Sequence, residues 1–358
     1  MTQTIGTFSI ADLLKSRFTA AEIGFDAINQ AVQAELAQRN QAVADALEVL
    51  TEQTTDSRRV WGTSRANEMI EVDEFNEADT QQPESGVEID FPMRRFSYGV
   101  GLTSSWLLSA QAADVAQVAL DAMLSYERRL QDEIQFAVYN SGNYDFLDKF
   151  GDRTTLAGKA FANADSGIYP NMLDGTAVAG THQHYTGTAG ASLANADIDD
   201  VIDEVVEHGG MRDVGLYINE GNVATLEALT STKFTRLTPQ VLVSGQGDTI
   251  AREDVNDDPG NKLVGYWGAG YPVFTRSWAI ADHYAAVARN GILGKPIVYR
   301  VHKNPAARGL MPAVEIGMHP LVARYWNAYF GFGAWNRLAV AVKDGANQTT
   351  YTEPTLIR

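Results

Sequence analysis

The sequence predicts an α+β fold organised around one long helix, and three observations carry that prediction. Over residues 109–139 apolar side chains recur every three or four positions (Val115, Val118, Ala122, Tyr126, Leu130, Ile134, Ala137), which is one face of an α-helix. Blocks at 87–102 and 321–342 alternate apolar and other residues with period two, as strands do. Residues 196–232 read as a helix, a short apolar strand and a second helix.

At 1.5 Å per residue the long helix would run roughly 45 Å. Arg128, Arg129, Asp132 and Glu133 interrupt it too often for a coiled coil or a membrane span. It reads as a strut across one side of a domain, stopped by Asn140-Ser141-Gly142.

Composition bounds the rest. The 358-residue chain is 45% apolar, enough to fill two core-forming regions. It has no cysteine, so stability must come from packing or from neighbouring subunits rather than from disulfides or thiolate metal sites. Asp and Glu total 45 against 28 Lys and Arg, and the net charge of −17 argues against wrapping nucleic acid with the average surface. The N-terminal MTQTIGTFSIADLLKSRF lacks the basic segment and apolar core of a signal peptide, and no run of about 18 apolar residues occurs. The expectation is a soluble protein made in the cytoplasm.

Residues 20–50 read as a first helix, with Ile28, Val32, Leu36, Val43, Leu47 and Leu50 on one stripe that needs a partner. Residues 51–59 are polar and aperiodic, so they read as a linker. The helix is then an arm on another surface, or an ordinary helix folded back on its own core.

Between residues 60 and 102 the pattern is that of strands. Val87, Ile89, Phe91 and Met93 lie in one phase, and Phe96, Tyr98, Val100 and Leu102 in the other. A one-residue slip exchanges a strand's faces, which predicts a β-bulge or bend at Arg94-Arg95. Met69, Ile70 and Val72 supply the paired strand, and residues 75–86 carry the Asn, Asp, Pro and Gly of a long exposed tip. A two-stranded ribbon is marginal in water, so this hairpin is expected to lean on a neighbouring subunit.

The hairpin is also acidic, with Glu68, Glu71, Asp73, Glu74, Glu77, Asp79, Glu84, Glu88 and Asp90 and no lysine. Such charge either blunts an exposed edge or docks on a basic surface. Arg289, Lys295, Arg300, Lys303 and Arg308 supply a basic set later in the chain. The candidate intersubunit contacts are therefore Glu71, Asp73, Glu74 and Glu77 on the hairpin, and Arg94, Arg95, Arg289, Arg300, Lys303 and Arg308 elsewhere.

Residues 143–195 are rich in Gly, Ala, Asn and Thr, with short strands at best. They contain Thr181-His182-Gln183-His184-Tyr185, where two histidines two apart on extended chain point the same way and suit a soft cation. Two ligands are not a site; the rest would have to come from Asp174, His208, His283 or elsewhere. Polar packing in a loop is the plainer account, and no metal is assigned.

In the unit at 196–232, Asp197 or Asn195 caps the first helix, Ile198, Val201, Ile202 and Val205 form its buried stripe, and Gly209-Gly210 end it. The turn after the strand is Asn219-Glu220-Gly221-Asn222, with an acid where a phosphate-binding loop needs glycine and lysine, so nucleotide binding is not supported. Residues 234–262 read as exposed loop. Strands follow at 271–275, 297–303 and 311–318, and the block 319–345 reads as two paired aromatic strands that rest on the long helix. No GxSxG, HExxH or Walker motif occurs, and acidic pairs such as Asp199-Asp200 and Asp257-Asp258 are explained by capping and turns. The expectation is a subunit of an assembly rather than an enzyme, with no cofactor.

The order of elements, and the stretches GVGLTSSWLLSAQAADVAQVALDAMLSYERRLQDEIQFAVYNSG, DIDDVIDEVVEHGGMRDVGLYINEGNVATLEAL, GYPVFTRSW and VARYWNAYFGFGAWNRLAVAV, resemble the major capsid proteins of tailed bacteriophages with the Hong Kong 97 phage fold. The likeness runs over about residues 57–345 and is one of layout, with no single diagnostic motif.

The resemblance implies an N-terminal arm (1–56), an extended β-hairpin loop (57–103), a peripheral domain with a spine helix (104–195), an axial α/β domain (196–310), and return strands to the peripheral domain with a C-terminal tail (311–358). It implies hexamers and pentamers forming an icosahedral shell around double-stranded DNA held without sequence-specific contacts. Cement, scaffolding and portal proteins are its implied partners, with no membrane, and the virion its location after synthesis in the host cytoplasm. An encapsulin-like compartment shares the fold, and a metal-dependent enzyme using His182 and His184 is the more distant alternative. Family members that weld their shells use a lysine on the extended loop; here no lysine lies between Lys15 and Lys149, so no isopeptide chainmail of that kind is expected. An acidic inner surface that avoids gripping DNA during packaging fits the same setting.

Overall fold

The computed structural model describes residues 8–61, 71–75, 77, 80, 86–172, 174–188, 190, 192–208, 211–229, 233–237, 242–243, 249–250, 262–268, 270–291, 294–313, 316–318, 321–346 and 349–357. The chain begins with α1 (Ile10–Lys15), α2 (Ala20–Ile23) and α3 (Phe25–Glu48). Ser9 and Thr19 close capping boxes on Asp12 and Glu22, which start the first two helices. Gly24, at φ +94°, breaks the single helix expected over residues 20–50 into α2 and α3. Residues 51–54 are not a linker: β1 (Thr51–Thr54) pairs in parallel with residues 297–300. Backbone pairing is indifferent to side-chain polarity, which is why TEQT carries no strand signal.

The hairpin base is β2 (Arg58–Trp61) against β3 (Val87–Asp90), with Arg58 opposite Asp90 and Trp61 opposite Val87. Met69 and Ile70 fall outside the described residues, and Val72 belongs to no strand. The break expected at Arg94-Arg95 lies just before it. Phe91, Pro92 and Met93 leave the ladder as a buried corner, Pro92 having no N–H to give, and β4 (Arg94–Thr103) starts afresh.

A separate turn, α4 (Ser104–Ser109), precedes the long helix α5 (Ala112–Tyr139), whose 28 residues begin at a box formed by Gln111 and Asp114. Of the expected stripe, Val118 is half-buried and the other six residues are buried. Next come β5 (Tyr144–Leu147), β6 (Thr155–Gly158), β7 (Tyr185–Gly187), α6 (Asn195–Val206), β8 (Arg212–Ile218) and α7 (Val223–Ala228). Ala194, not Asn195 or Asp197, is the cap residue of α6, and the Asp197 carboxylate accepts its N–H at 2.8 Å. Gly209-Gly210 lie outside the described residues.

The remaining strands are β9 (Phe234–Arg236), β10 (Leu242–Val243), β11 (Thr249–Ile250), β12 (Leu263–Trp267), β13 (Tyr271–Thr275), β14 (His283–Asn290), β15 (Ile297–Val301), β16 (Met311–Pro312), β17 (Ile316–Met318), β18 (Leu321–Ala334) and β19 (Val340–Asp344).

Two sheets organise the molecule. In the first, β18 is the axis: β4 runs along one side from Thr103 opposite Leu321 to Arg94 opposite Phe330, and β17, β16 and β15 pair along the other. The second has the order β7-β19-β14-β8-β13-β12-β9. The two late aromatic strands therefore do not pair with each other: β18 belongs to the first sheet and β19 to the second. A boundary at 310/311 is also crossed by pairing, since β15 joins β18 rather than the 196–228 unit.

One core lies where α5 crosses the first sheet. Tyr126 meets Phe330 edge-on at 5.6 Å, and Leu130, Ile134 and Leu36 pack with Tyr299 and Phe332. One face of the second sheet (Tyr217, Ala285, Val287, Val340, Val342) closes the same core, while its opposite face (Leu216, Ala286, Ala341) covers the α6 stripe. Strand β14 is thus buried on both faces, so HYAAVA shows no alternation and gives no strand signal in the sequence.

Candidate assembly surfaces and a histidine cluster

The hairpin base has a core within its own chain. Trp61, Ile89 and Phe91 are fully buried with Ala162, Tyr169, Val298 and Trp335. The expectation that the ribbon must borrow a core from a neighbour is corrected for this part, because the aromatic residues at its root dock on the segment after α5 and on β15. Arg58 ties the two strands, 3.0 Å from Glu88 and 3.4 Å from Asp90. Further out, Glu71, Asp73, Glu74 and Glu77 are all exposed.

The basic candidates divide by burial. Arg300 is wholly buried in β15, its Nη1 2.9 Å from Asp148 Oδ2 and 2.7 Å from the Phe91 carbonyl oxygen, so it is not available to a neighbour. Arg94 lies over the Phe146 ring and 3.1 Å from the buried Glu133 of α5, which also binds Arg129. Arg289 sits over Phe274 and donates from Nε to the Asp213 carbonyl. Arg308 is half-buried and donates to the His302 carbonyl. Arg95 and Lys303 are exposed; Lys303 approaches Asp152 at 3.7 Å. The set does not form one patch, because Arg289 belongs to the second sheet and Arg300 to the first.

The two histidines of THQHY gain a third. His182 and His184 do point the same way, and His208, just beyond α6, turns in to meet them. The Nε2 atoms are 2.9 Å apart for His182 and His184, 3.0 Å for His182 and His208, and 3.0 Å for His184 and His208. The backbone around them is pinned: His182 O accepts from Ala164 N, His184 N donates to Ala162 O, and His184 O accepts from Val342 N. His184 Nδ1 donates to the Val340 carbonyl at 2.8 Å, while His208 Nδ1 is buried with no hydrogen-bond partner among the described residues.

Glu204 and Glu207 flank the cluster, each with Oε1 3.7 Å from His182 Nε2. Burial pushes His184 well below the ordinary imidazole range, with His208 and His182 adding to it, and takes His208 down to about 3. Burial and the neighbouring Glu207 push Glu204 up to about 7. Burial lowers His182 as well, so all three rings favour the neutral form at pH 7.

Of the partners suggested for His182 and His184, His208 joins them. His283 instead lies against Tyr139 and Tyr351, near the carbonyls of Ala281 and Thr352. Glu204 and Glu207 join the cluster as well; the one signal for them in the sequence is that Glu204, Glu207 and His208 follow the i, i+3, i+4 spacing that places side chains on one helix face.

No protein-family model and no curated protein sequence matches the chain. Solved structures do. A chain of Mycobacterium phage Patience shares the fold with a TM-score of 0.67 at 19% identity, covering 99% of this chain and 96% of that one. A chain from the capsid of a native GTA particle does so with a TM-score of 0.50 at 12% identity, over 84% of this chain and 89% of that one. The mixed helix-and-sheet fold is thus one that this chain shares with a chain of a phage and with a chain from a GTA capsid.

Proposed function

We propose that this chain is the major capsid protein of a tailed phage, a structural subunit that self-assembles as hexamers and pentamers into an icosahedral shell around double-stranded DNA. The observation that carries the reading is the fold shared, nearly end to end, with a phage chain. In this reading the architecture is of the Hong Kong 97 type. Helix α5 is the spine, residues 57–103 the extended loop and 1–56 the N-terminal arm; the peripheral domain is built on 104–195 and 311–358 with β15 added to it, and the axial domain on 196–310 with β19 added to it.

The sequence supports it too, with an acidic hairpin and no catalytic motif. Exposed Glu71, Asp73, Glu74 and Glu77 meet basic side chains such as Arg95 and Lys303 on neighbouring subunits. Cement, scaffolding and portal proteins complete the particle, which is built in the host cytoplasm. Negative-stain electron microscopy of the expressed chain tests the reading: closed shells or capsomers are expected, and discrete monomers under all assembly conditions would overturn it. Particles from infected cells should contain DNA; a protein cargo in its place would make them a compartment rather than a virion.

A further inference from the structure

We propose that His182, His184 and His208 bind a divalent first-row transition cation of the zinc type, with a carboxylate of Glu204 or Glu207 as the fourth ligand. The proposal rests on this side-chain geometry and is independent of whether the chain builds shells.

Three imidazole nitrogens from two parts of the chain stand in a nearly equilateral triangle, 2.9 to 3.0 Å on a side. Hydrogen bonds among the rings do not account for it. A carbonyl only accepts, so the contact to Val340 O fixes the proton of a neutral His184 on Nδ1 and leaves a lone pair on Nε2. The Nε2 atoms of His182 and His208 have one in-plane position each. A proton there satisfies at most one neighbour, while the triangle brings every nitrogen within reach of two.

A cation on the axis of the triangle accepts all three lone pairs at once. Tetrahedral Zn–N bonds of about 2.0–2.1 Å place the nitrogens roughly 3.3 Å apart, so the triangle needs to open by only a few tenths of an ångström.

The surroundings suit a metal as well. A ligating histidine commonly gives its other N–H to a backbone carbonyl, and His184 does so. Glu204 and Glu207 stand at the His182 corner of the triangle, their Oε1 atoms 3.7 Å from His182 Nε2; Glu207 Oε1 is also 3.8 Å from His208 Nε2, and a change of side-chain rotamer would carry one of them to the fourth position. Three imidazoles and a carboxylate, with no thiolate in the chain, favour zinc and its neighbours over calcium or magnesium.

With four protein ligands the site is closed, which points to a structural role. It would clamp the end of α6 to the segment entering β7, and through the Val340 contact to β19. In a chain without disulfides this is a cross-link between a helix and the edge of its sheet.

The test is metal analysis of the purified full-length chain, followed by chelator stripping and titration with Zn2+ and with Co2+. The expected result is about one zinc per chain. Zinc should raise the melting temperature of the stripped protein, and cobalt should give the visible absorption of a tetrahedral site. His182→Ala, at the more exposed corner, is expected to weaken zinc binding by more than the roughly 10–100-fold that loss of an outer-shell partner costs. Glu204→Gln with Glu207→Gln, at half-buried positions, is the companion in case the histidine variant fails to fold, and should weaken binding with the far-UV spectrum unchanged. A stripped wild-type chain that shows neither the zinc-dependent shift nor the cobalt spectrum overturns the proposal. So does a folded His182→Ala chain that binds zinc as tightly as wild type.

Discussion

Arg300 Nη1 lies 2.9 Å from Asp148 Oδ2 with both side chains wholly excluded from solvent, joining β15 to the turn after β5. A buried pair of this kind is costly to break, because the survivor is left charged and unsolvated. Arg300→Met or Asp148→Leu alone is expected to destabilise the chain by about 3–5 kcal/mol. The double variant Arg300→Met with Asp148→Leu should recover much of that loss. Chemical denaturation of the four proteins measures the coupling, and purely additive losses would count against this account.

Helix α5 carries the next prediction. Tyr126 packs on Phe330 and Leu130 lies in the same core, so Tyr126→Asp or Leu130→Asp places a charge among apolar side chains and costs the burial they supply. Shells should be absent from electron micrographs of both variants. Leu130→Ala is milder, with an expected cost of about 2–5 kcal/mol. Normal particles from the aspartate variants would sink the assignment of α5 as the spine of assembly.

Gly331 is where β18 passes beneath the corner at residues 91–93. A Cβ built there would meet the Pro92 carbonyl oxygen at 2.1 Å, a clash with backbone that no rotamer relieves. Gly331→Ala should force β18 away from the corner and cost roughly 1–3 kcal/mol. Faster proteolysis within the hairpin base is the readout; an unchanged cleavage rate and melting temperature would refute the close approach.

Acid sensitivity should involve Asp165. Burial raises its carboxyl pKa, but Arg337, 3.0 Å away, and hydrogen bonds involving Asn143, Arg337 and Tyr169 outweigh that and hold it well below the carboxylate range. A depressed folded-state value means that the stabilisation is complete above the unfolded pKa and is lost as pH falls through it toward the folded one. Stability should therefore fall between about pH 5 and pH 3 more steeply in wild type than in Asp165→Asn. Parallel melting curves over that window would remove Asp165 from the explanation.

No lysine lies between Lys15 and Lys149, which leaves the hairpin without the amine that an isopeptide cross-link needs. Mature particles boiled in detergent are expected to run as a single band at the 39.0 kDa of the chain. A ladder of covalent multimers on that gel would show that another residue welds the shell.

What the sequence determined by itself is what local periodicity encodes. The α5 stripe, the helix-strand-helix around β8, the alternation of β4 and the acid of the hairpin are each written within a short window, because one face of each helix or strand is buried and the other is not. The layout shared with the phage and GTA chains is legible from the order of these elements.

Tertiary structure alone decided which strands meet. Polar β1 is a strand only because β15 offers it an edge, and β14 is hidden from pattern reading because both its faces are buried. The aromatic strands β18 and β19 look like partners in the sequence yet serve different sheets. Arg300 reads as one more surface cation until Asp148, far away in the chain, is seen beside it. The histidine triangle is the same case. His182 and His184 announce a shared direction through their spacing, but nothing local says that the end of α6 will bring His208 within 3.0 Å of both. Convergence of distant side chains is set by how helices and sheets pack, and that information is spread over the whole chain.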